Sequence, residues 1–382
     1  MTTGLEDVSV VHVVRQYLPN VGGLENVVRN LVIRQKERVR DVKVVTLDRL
    51  FADPDRILSR YELIDGVEVH RIPYRGSSRY PVAPAVFKEV SGADLVHVHA
   101  VDFFFDALAI ANFRKRRKMV ATTHGGFFHT DKFATLKAGW FNTLTRLSSH
   151  QYEAIACCSS SDFQQFQKIA PKRVSLIENG VDIDKFRDAS SQKPEKQLLA
   201  LGRFSSNKRL DRVIDLLKQL NSQDREWKLD IVGMESDLTK ADLLAKAEAA
   251  GVACNLQVHV GLEDVEIRSV MRKCSFFVSA SDYEGFGLVL IEAMSAGLIP
   301  VVHPNDAFKG LAGQHDLITL ADYSRPELAA SAITERFCNL KQIPKLRQDI
   351  IGAVESHSWD HVIEQYDQLY RTALGIRGIM EA

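Results

Sequence analysis

No apolar run in this chain approaches the roughly 18 residues that a bilayer-crossing helix needs. Net charge is also missing, with 49 Lys+Arg against 49 Asp+Glu. Cysteine is sparse, and the five present (Cys157, Cys158, Cys254, Cys274 and Cys338) lack any metal-ligand spacing such as C-x-x-C. Buried thiols in a reducing compartment are therefore expected. Residues 1–7 are polar and acidic, so no secretory leader is expected. There is no low-complexity tract and no repeat detectable by identity. The absence of a G-x-G-x-x-G string argues against a standard dinucleotide site.

What is present is the composition of a soluble globular protein, 45% apolar and 26% charged. At 382 residues the chain is too long for one ordinary core and comfortable for two domains. Charge is uneven: residues 1–180 carry 25 Lys+Arg and 19 Asp+Glu, about +6, and the remainder carries 24 and 30, about −6. A basic half suits an anionic membrane face or a diphosphate-bearing acceptor. Short Val- and Ile-rich runs alternate with helical-period segments, the signature of parallel βαβ units. Strands are expected over 8–14, 42–47, 67–72, 95–99, 119–123, 153–158 and 174–177, then over 197–201, 227–232, 256–260, 276–279, 299–302 and 317–320. Near-continuous apolarity predicts strands covered on both faces. The polar stretch 181–196 reads as a linker, and 359–374 carries a helical stripe of Val362, Ile363, Tyr366, Leu369 and Tyr370.

Four segments can carry chemistry. Gly22-Gly23 follow a strand and open a helix, where backbone N–H groups and the helix dipole can meet an anion; an ordinary βα turn is the bland alternative. His124 stands beside Gly125-Gly126 at a strand's carboxyl end, where open α/β sheets place ligands. It can bond a sugar hydroxyl or a backbone carbonyl, or serve structure alone. Arg203 and Lys208 lie between a strand and a helix with the stripe Leu210, Val213, Ile214 and Leu217. Such cations form a clamp for a leaving diphosphate, or else a solvated basic loop. Finally, Glu284-Gly285-Phe286-Gly287-Leu288 opens a helix that carries Glu292 and stops at Gly297. Glu284 can accept from sugar hydroxyls and Glu292 from a ribose diol. An ionised Glu on an apolar helix face is costly unless donors meet it.

The two glutamates eight positions apart, with E-G-F-G at the start and E-A-M-S-A-G at the end, resemble the E-x7-E motif of the retaining glycosyltransferases of family 4. The glycine pair, the His-Gly turn, Asn179-Gly180-Val181-Asp182 and the Gly202-Arg203…Lys208 loop fall in that family's order, so the likeness spans essentially the whole chain. It implies an α/β GT-B fold, two Rossmann-like domains facing across a cleft: 1–185 for the acceptor, 186–357 for the nucleotide sugar, and 358–382 crossing back to the first domain. The resemblance implies that Gly22 and Gly23 approach the donor diphosphate and that Arg203 and Lys208 clamp it. His124 and Glu284 would hold the transferred sugar, Gly285, Phe286, Gly287 and Leu288 would line the donor site, and Glu292 would hold the ribose. Leu47-Asp48-Arg49, Tyr74–Pro81, Val101–Phe104 and Thr123–Thr130 narrow the likeness to members that serve exopolysaccharide assembly. Those move mannose from GDP-mannose onto a polyprenyl-diphosphate-linked oligosaccharide. Arg209, where many members have glycine, and Gly233-Met234-Glu235, where many have Gly-x-Gly, depart from the pattern.

In the implied mechanism the acceptor hydroxyl attacks the face that the diphosphate leaves, and a departing phosphate oxygen takes its proton. No metal or other cofactor is expected, because the D-x-D strings Asp53-Pro54-Asp55 and Asp182-Ile183-Asp184 do not end strands beside the phosphate patterns. Nucleic acid is not an expected partner. A lipid-linked acceptor implies a cytoplasmic protein held peripherally on the inner face of the bacterial plasma membrane. Phe103–Phe105 ahead of Arg114–Lys118, and the aromatic and basic residues of 127–147, are the candidate contacts. A UDP-sugar on another glycolipid acceptor, an epimerase or phosphorylase of similar fold, and a non-catalytic family member remain alternatives.

Overall fold

In the computed structural model, which describes residues 4–78, 80–125, 139–340 and 343–376, the apolar runs become parallel strands. In the first half these are β1 (Ser9–Val13), β2 (Asp41–Leu47), β3 (Tyr61–Ile64), β4 (Val67–Ile72), β5 (Leu95–His99), β6 (Lys118–Thr122), β7 (Ala154–Cys157) and β8 (Val174–Leu176). They form one sheet in the order β8-β7-β6-β5-β1-β2-β4-β3. Only β3 runs antiparallel to its neighbour. Its side chains are largely exposed, so no apolar run marked it in the sequence. In the second half β9 (Gln197–Leu201), β10 (Lys228–Gly233), β11 (Leu256–Val260), β12 (Phe276–Ser279), β13 (Ile299–Val302) and β14 (Thr319–Leu320) form an all-parallel sheet in the order β11-β10-β9-β12-β13-β14. The chain divides into two compact units, Met1–Gly180 with Trp359–Ala382, and Val181–Ser358.

The helices follow from spacing. In α1 (Gly23–Gln35) the buried face is Val27, Val28, Leu31 and Val32, an i, i+3/i+4 stripe. Helix α2 (Phe103–Lys115) starts where the Asp102 carboxylate accepts the Phe104 N–H at 2.9 Å. Helix α3 (Ser160–Ile169) is capped by Ser159, whose hydroxyl accepts from Asp162 N–H. In the second unit α4 (Leu210–Gln223) buries Leu210, Val213, Ile214, Leu217 and Leu220. Each such side chain contributes about 1.5–3 kcal/mol by leaving water. Helix α5 (Leu288–Ser295) and α6 (Ile343–Ala353) complete the elements needed below. The C-terminal helix Trp359–Leu374 belongs to the first unit and buries Val362, Ile363, Tyr366, Leu369 and Tyr370. Its Trp359 ring lies where a Cβ on Gly180 would stand, so that turn requires glycine.

The stretch 181–196 is no free linker. Val181, Ile183, Phe186 and Ala189 enter the core of the second unit. Its polar residues bond the fully buried Arg347 of α6, which donates to Ser190 Oγ and Gln192 Oε1 at 2.8 Å and to Asp188 Oδ1 at 2.7 Å. The strap is polar because it satisfies a buried guanidinium. Cys157, Cys158 and Cys274 are buried, and all five thiols are unpaired.

Asp102 also carries a cost. Its Oδ2 has no hydrogen-bond partner among the described residues, and burial, opposed by Arg15, raises its carboxyl to about 7. A folded-state value above the unfolded one near 4 means that stability is full below about pH 4 and falls as pH rises towards 7. Asp102→Asn keeps a capping oxygen and removes the charge. It is expected to unfold with about 1–3 kcal/mol more resistance at pH 8, a gain that vanishes at pH 4 in urea titrations.

Candidate functional site

In the first unit, Gly22 and Gly23 cap and open α1 directly after β1. Neither adopts a positive φ, and a Cβ on Gly23 would meet nothing within 4 Å among the described residues. Folding therefore gives no reason for glycine at 23. The anion reading meets an opposing charge, because Glu25, held by Asn20 at 2.7 Å, lies so close that a Cβ on Gly22 would stand 2.5 Å from its Oε2.

His124 follows β6 with φ 55°, in the left-handed region. Asp162 of α3 holds it there from both sides: its Oδ2 accepts the Thr123 hydroxyl at 2.5 Å and the Gly125 N–H at 3.0 Å. Burial lowers the imidazole to about 3, so the ring is neutral at physiological pH. Sequence reasoning missed Asp162, since a carboxylate three residues into a helix start reads as an ordinary dipole partner. Gly126, Phe127 and Phe128 lie outside the described residues.

In the second unit, the loop after β9 brings Arg203 and Lys208 to one crevice lined by Gly202 and Ser279–Ser281. Lys208 donates to Glu284 Oε1 at 2.6 Å, and both side chains are less than one-fifth exposed. The phosphate clamp and the sugar acceptor predicted separately are thus one ion pair. Arg203 is exposed and makes no ion pair among the described residues. Arg209, with φ 47°, turns instead to Asp211 and Asp282 at 2.8 and 3.3 Å, so it serves the loop. At the end of β10, a Cβ on Gly233 would collide with the Gly202 carbonyl oxygen, which explains the first glycine of Gly233-Met234-Glu235.

Gly287 caps α5 at φ 96°, and a Cβ there would also crowd Leu311 and Phe308. Gly285 faces open space instead. Phe286 is buried against the His357 ring, 5.8 Å between centroids, and Leu288 is half-buried beside the same core. The Glu292 carboxylate makes no hydrogen bond or ion pair among the described residues. Burial raises it above the ordinary carboxyl range, with Lys185 opposing. The sign is again adverse at neutral pH: the folded state loses stability as pH climbs past the unfolded value. Glu292→Gln is therefore expected to raise Tm at pH 8 by roughly 2–4 °C, for about 1 kcal/mol, and, on the ribose-binding role proposed below, to weaken nucleotide-sugar binding about tenfold. Thermal shift and calorimetry on the same sample check both.

The D-x-D strings are accounted for locally. Asp53 and Asp55 sit on an exposed strand, Asp53–Ile57. Asp182 accepts the Lys185 N–H and Asp184 pairs with Arg187.

Known proteins resemble this chain over the same segments. Residues 21–185 match the family model Glycosyltransferase Family 4, and 182–355 match Glycosyl transferases group 1. The chain is 39% identical to the GDP-mannose:cellobiosyl-diphosphopolyprenol alpha-mannosyltransferase of Komagataeibacter xylinus, over 99% of this chain and 96% of that one. It is 38% identical to the protein of the same name from Xanthomonas campestris, over 98% and 99%. Among solved structures, a glycosyltransferase from Rickettsia africae superposes with a TM-score of 0.73 at 16% identity, covering 96% of this chain and 99% of that one. The two sheets, parallel but for one edge strand, the matched models and the full-length identity agree: this chain belongs to the family-4 glycosyltransferases and has their GT-B fold.

Proposed function

We propose that the enzyme moves mannose from GDP-mannose onto a polyprenyl-diphosphate-linked cellobiose, with retention at the anomeric carbon, in bacterial exopolysaccharide biosynthesis. The substrates rest on identity to two relatives of that name through nearly the whole of both chains. The chemistry rests on one observation, the Lys208–Glu284 pair beside the unpaired Arg203. As the sugar–phosphate bond breaks, negative charge grows on the leaving diphosphate, and two cations at one crevice lower the energy of that state. The acceptor hydroxyl attacks the face being vacated and gives its proton to a departing phosphate oxygen. Glu284 and neutral His124 bond sugar hydroxyls, Glu292 accepts from the ribose diol, and Gly22 and Gly23 offer backbone N–H groups to the diphosphate. No step uses a metal ion.

We further propose peripheral attachment to the inner membrane face. No helix among the described residues is long and apolar enough to cross a bilayer. The Phe103–Phe105 reading needs correction: Phe104 and Phe105 are core residues. The same helix instead exposes Ile110 and Phe113 beside Arg114 and Lys115, an apolar and basic face suited to anionic lipid. The test is a donor panel with a synthetic lipid-diphosphate cellobiose in anionic vesicles. Turnover with GDP-mannose and salt-sensitive co-sedimentation support the proposal. Turnover with UDP-glucose alone refutes the donor, and absence of vesicle binding refutes the attachment.

A further inference from the structure

The face of the first sheet beneath α1 and the C-terminal helix is not wholly apolar. His12 on β1 and His97 and His99 on β5 are all buried there, and His12 and His97 are register partners. His97 is engaged at both nitrogens, by the Tyr370 hydroxyl at 2.6 Å and the Thr122 hydroxyl at 2.8 Å. The other two rings bond each other and then His124. His12 Nδ1 lies 2.9 Å from His99 Nε2, and His99 Nδ1 lies 2.9 Å from His124 Nε2. His12, His97 and His99 bring nitrogens within 4.8 Å of one another, and these hydrogen bonds engage every nitrogen of the three rings except His12 Nε2.

A neutral imidazole has one N–H and one lone pair. Burial depresses all four rings well below their ordinary value, so none is charged at neutral pH. Two N···N contacts in series then allow only two arrangements. Either His12, His99 and His124 all carry their proton on Nδ1, or all carry it on Nε2. A mixed set would put two N–H groups, or two lone pairs, face to face at 2.9 Å in the core, at a cost of several kcal/mol. The nitrogen that His124 has left is Nδ1, which makes no hydrogen bond among the described residues.

We propose that His12 and His99 are positioning residues that set the tautomer of His124, and through it whether His124 presents an N–H or a lone pair to the sugar. The contact with the sugar rests on the proposed function, in which His124 meets the transferred sugar; the coupling between the rings does not. Far from His124 the chain of rings ends at His12 Nε2, which makes no hydrogen bond of full geometry among the described residues but lies beside the Gln35 amide, itself also close to the Tyr370 hydroxyl. A side-chain amide can turn either its oxygen or its nitrogen towards that atom. Gln35 is thus the natural place from which the polarity of the chain is chosen.

The test is ¹⁵N NMR of imidazole-labelled protein without donor, which reports the tautomer of each ring whatever sugar the enzyme takes. The expected result is one shared tautomer for His12, His99 and His124, with His97 free to differ. Substituting Gln35→Leu or His12→Phe should shift the His124 nitrogen signals, although neither residue touches that ring. Different tautomers among the three rings in the unsubstituted protein overturn the proposal, with no variant needed. A His124 spectrum unchanged in a folded His12→Phe protein overturns it as well.

Discussion

Lys208→Met is expected to lower kcat by about 10²–10³-fold at saturating donor, the loss typical of removing one charge-stabilising donor from a transition state. KM for the nucleotide sugar should change less, because in the proposed mechanism the charge that Lys208 meets is largest as the diphosphate departs. The structure adds a complication. Lys208 is also the partner of Glu284 at 2.6 Å, in surroundings that leave both side chains less than one-fifth exposed. Removing the ammonium strands a carboxylate, at a cost of about 1–3 kcal/mol. Part of any lost activity would then be lost structure. The double variant Lys208→Met/Glu284→Gln separates the two. It should recover most of the thermal stability and none of the turnover. If single-variant kcat stays within a few-fold of the original, the cation does not serve the leaving group.

Arg347→Met should destabilise the second unit by about 3–5 kcal/mol, the range for breaking a buried charged network by removing one partner. Arg347 is 1% exposed, and its guanidinium holds Asp188, Ser190 and Gln192. Without it, these groups lose their donors and the strap from Val181 loses its polar anchor. Gly297, at φ 82°, lies close enough that its missing Cβ would stand 3.3 Å from the Arg347 Nε. The glycine that ends α5 thus also makes room for the guanidinium. Arg187→Ala is the control: its pairs with Asp184 and Glu355 are solvent-exposed and should contribute less than about 1 kcal/mol. Urea titration of both variants by circular dichroism gives the comparison. Equal midpoints would show that the buried network contributes nothing.

Arg347 also marks a limit of sequence reading. Apolar periodicity located the parallel strands and the stripe of Val362–Tyr370 because those patterns report burial directly. The segment 181–196 hid its burial, since its few apolar residues, Val181, Ile183, Phe186 and Ala189, keep neither a strand nor a helix period and its polar residues serve an arginine some 150 positions away. Exposed β3 was missed for the opposite reason. Among the residues of the proposed site, Lys208, Glu284 and Glu292 stand out in the sequence as residue types at fixed spacing, but the bond between Lys208 and Glu284 does not. His12, His97 and His99 did leave a signal: V-H-V-H in β5 places two histidines on one face, in the strand next to His12. Without the register, nothing joined them to His124.

Everything proposed for the site turns on the identity and stereochemistry of the transfer. The decisive measurement supplies the enzyme with GDP-mannose and cellobiosyl-diphosphopolyprenol, then analyses the product by mass spectrometry and anomeric ¹H–¹³C coupling. The expected product carries one added hexose, mannose in α linkage, matching the anomeric configuration of the donor. A β-linked product, or no product from GDP-mannose while a UDP-sugar is consumed, would contradict it.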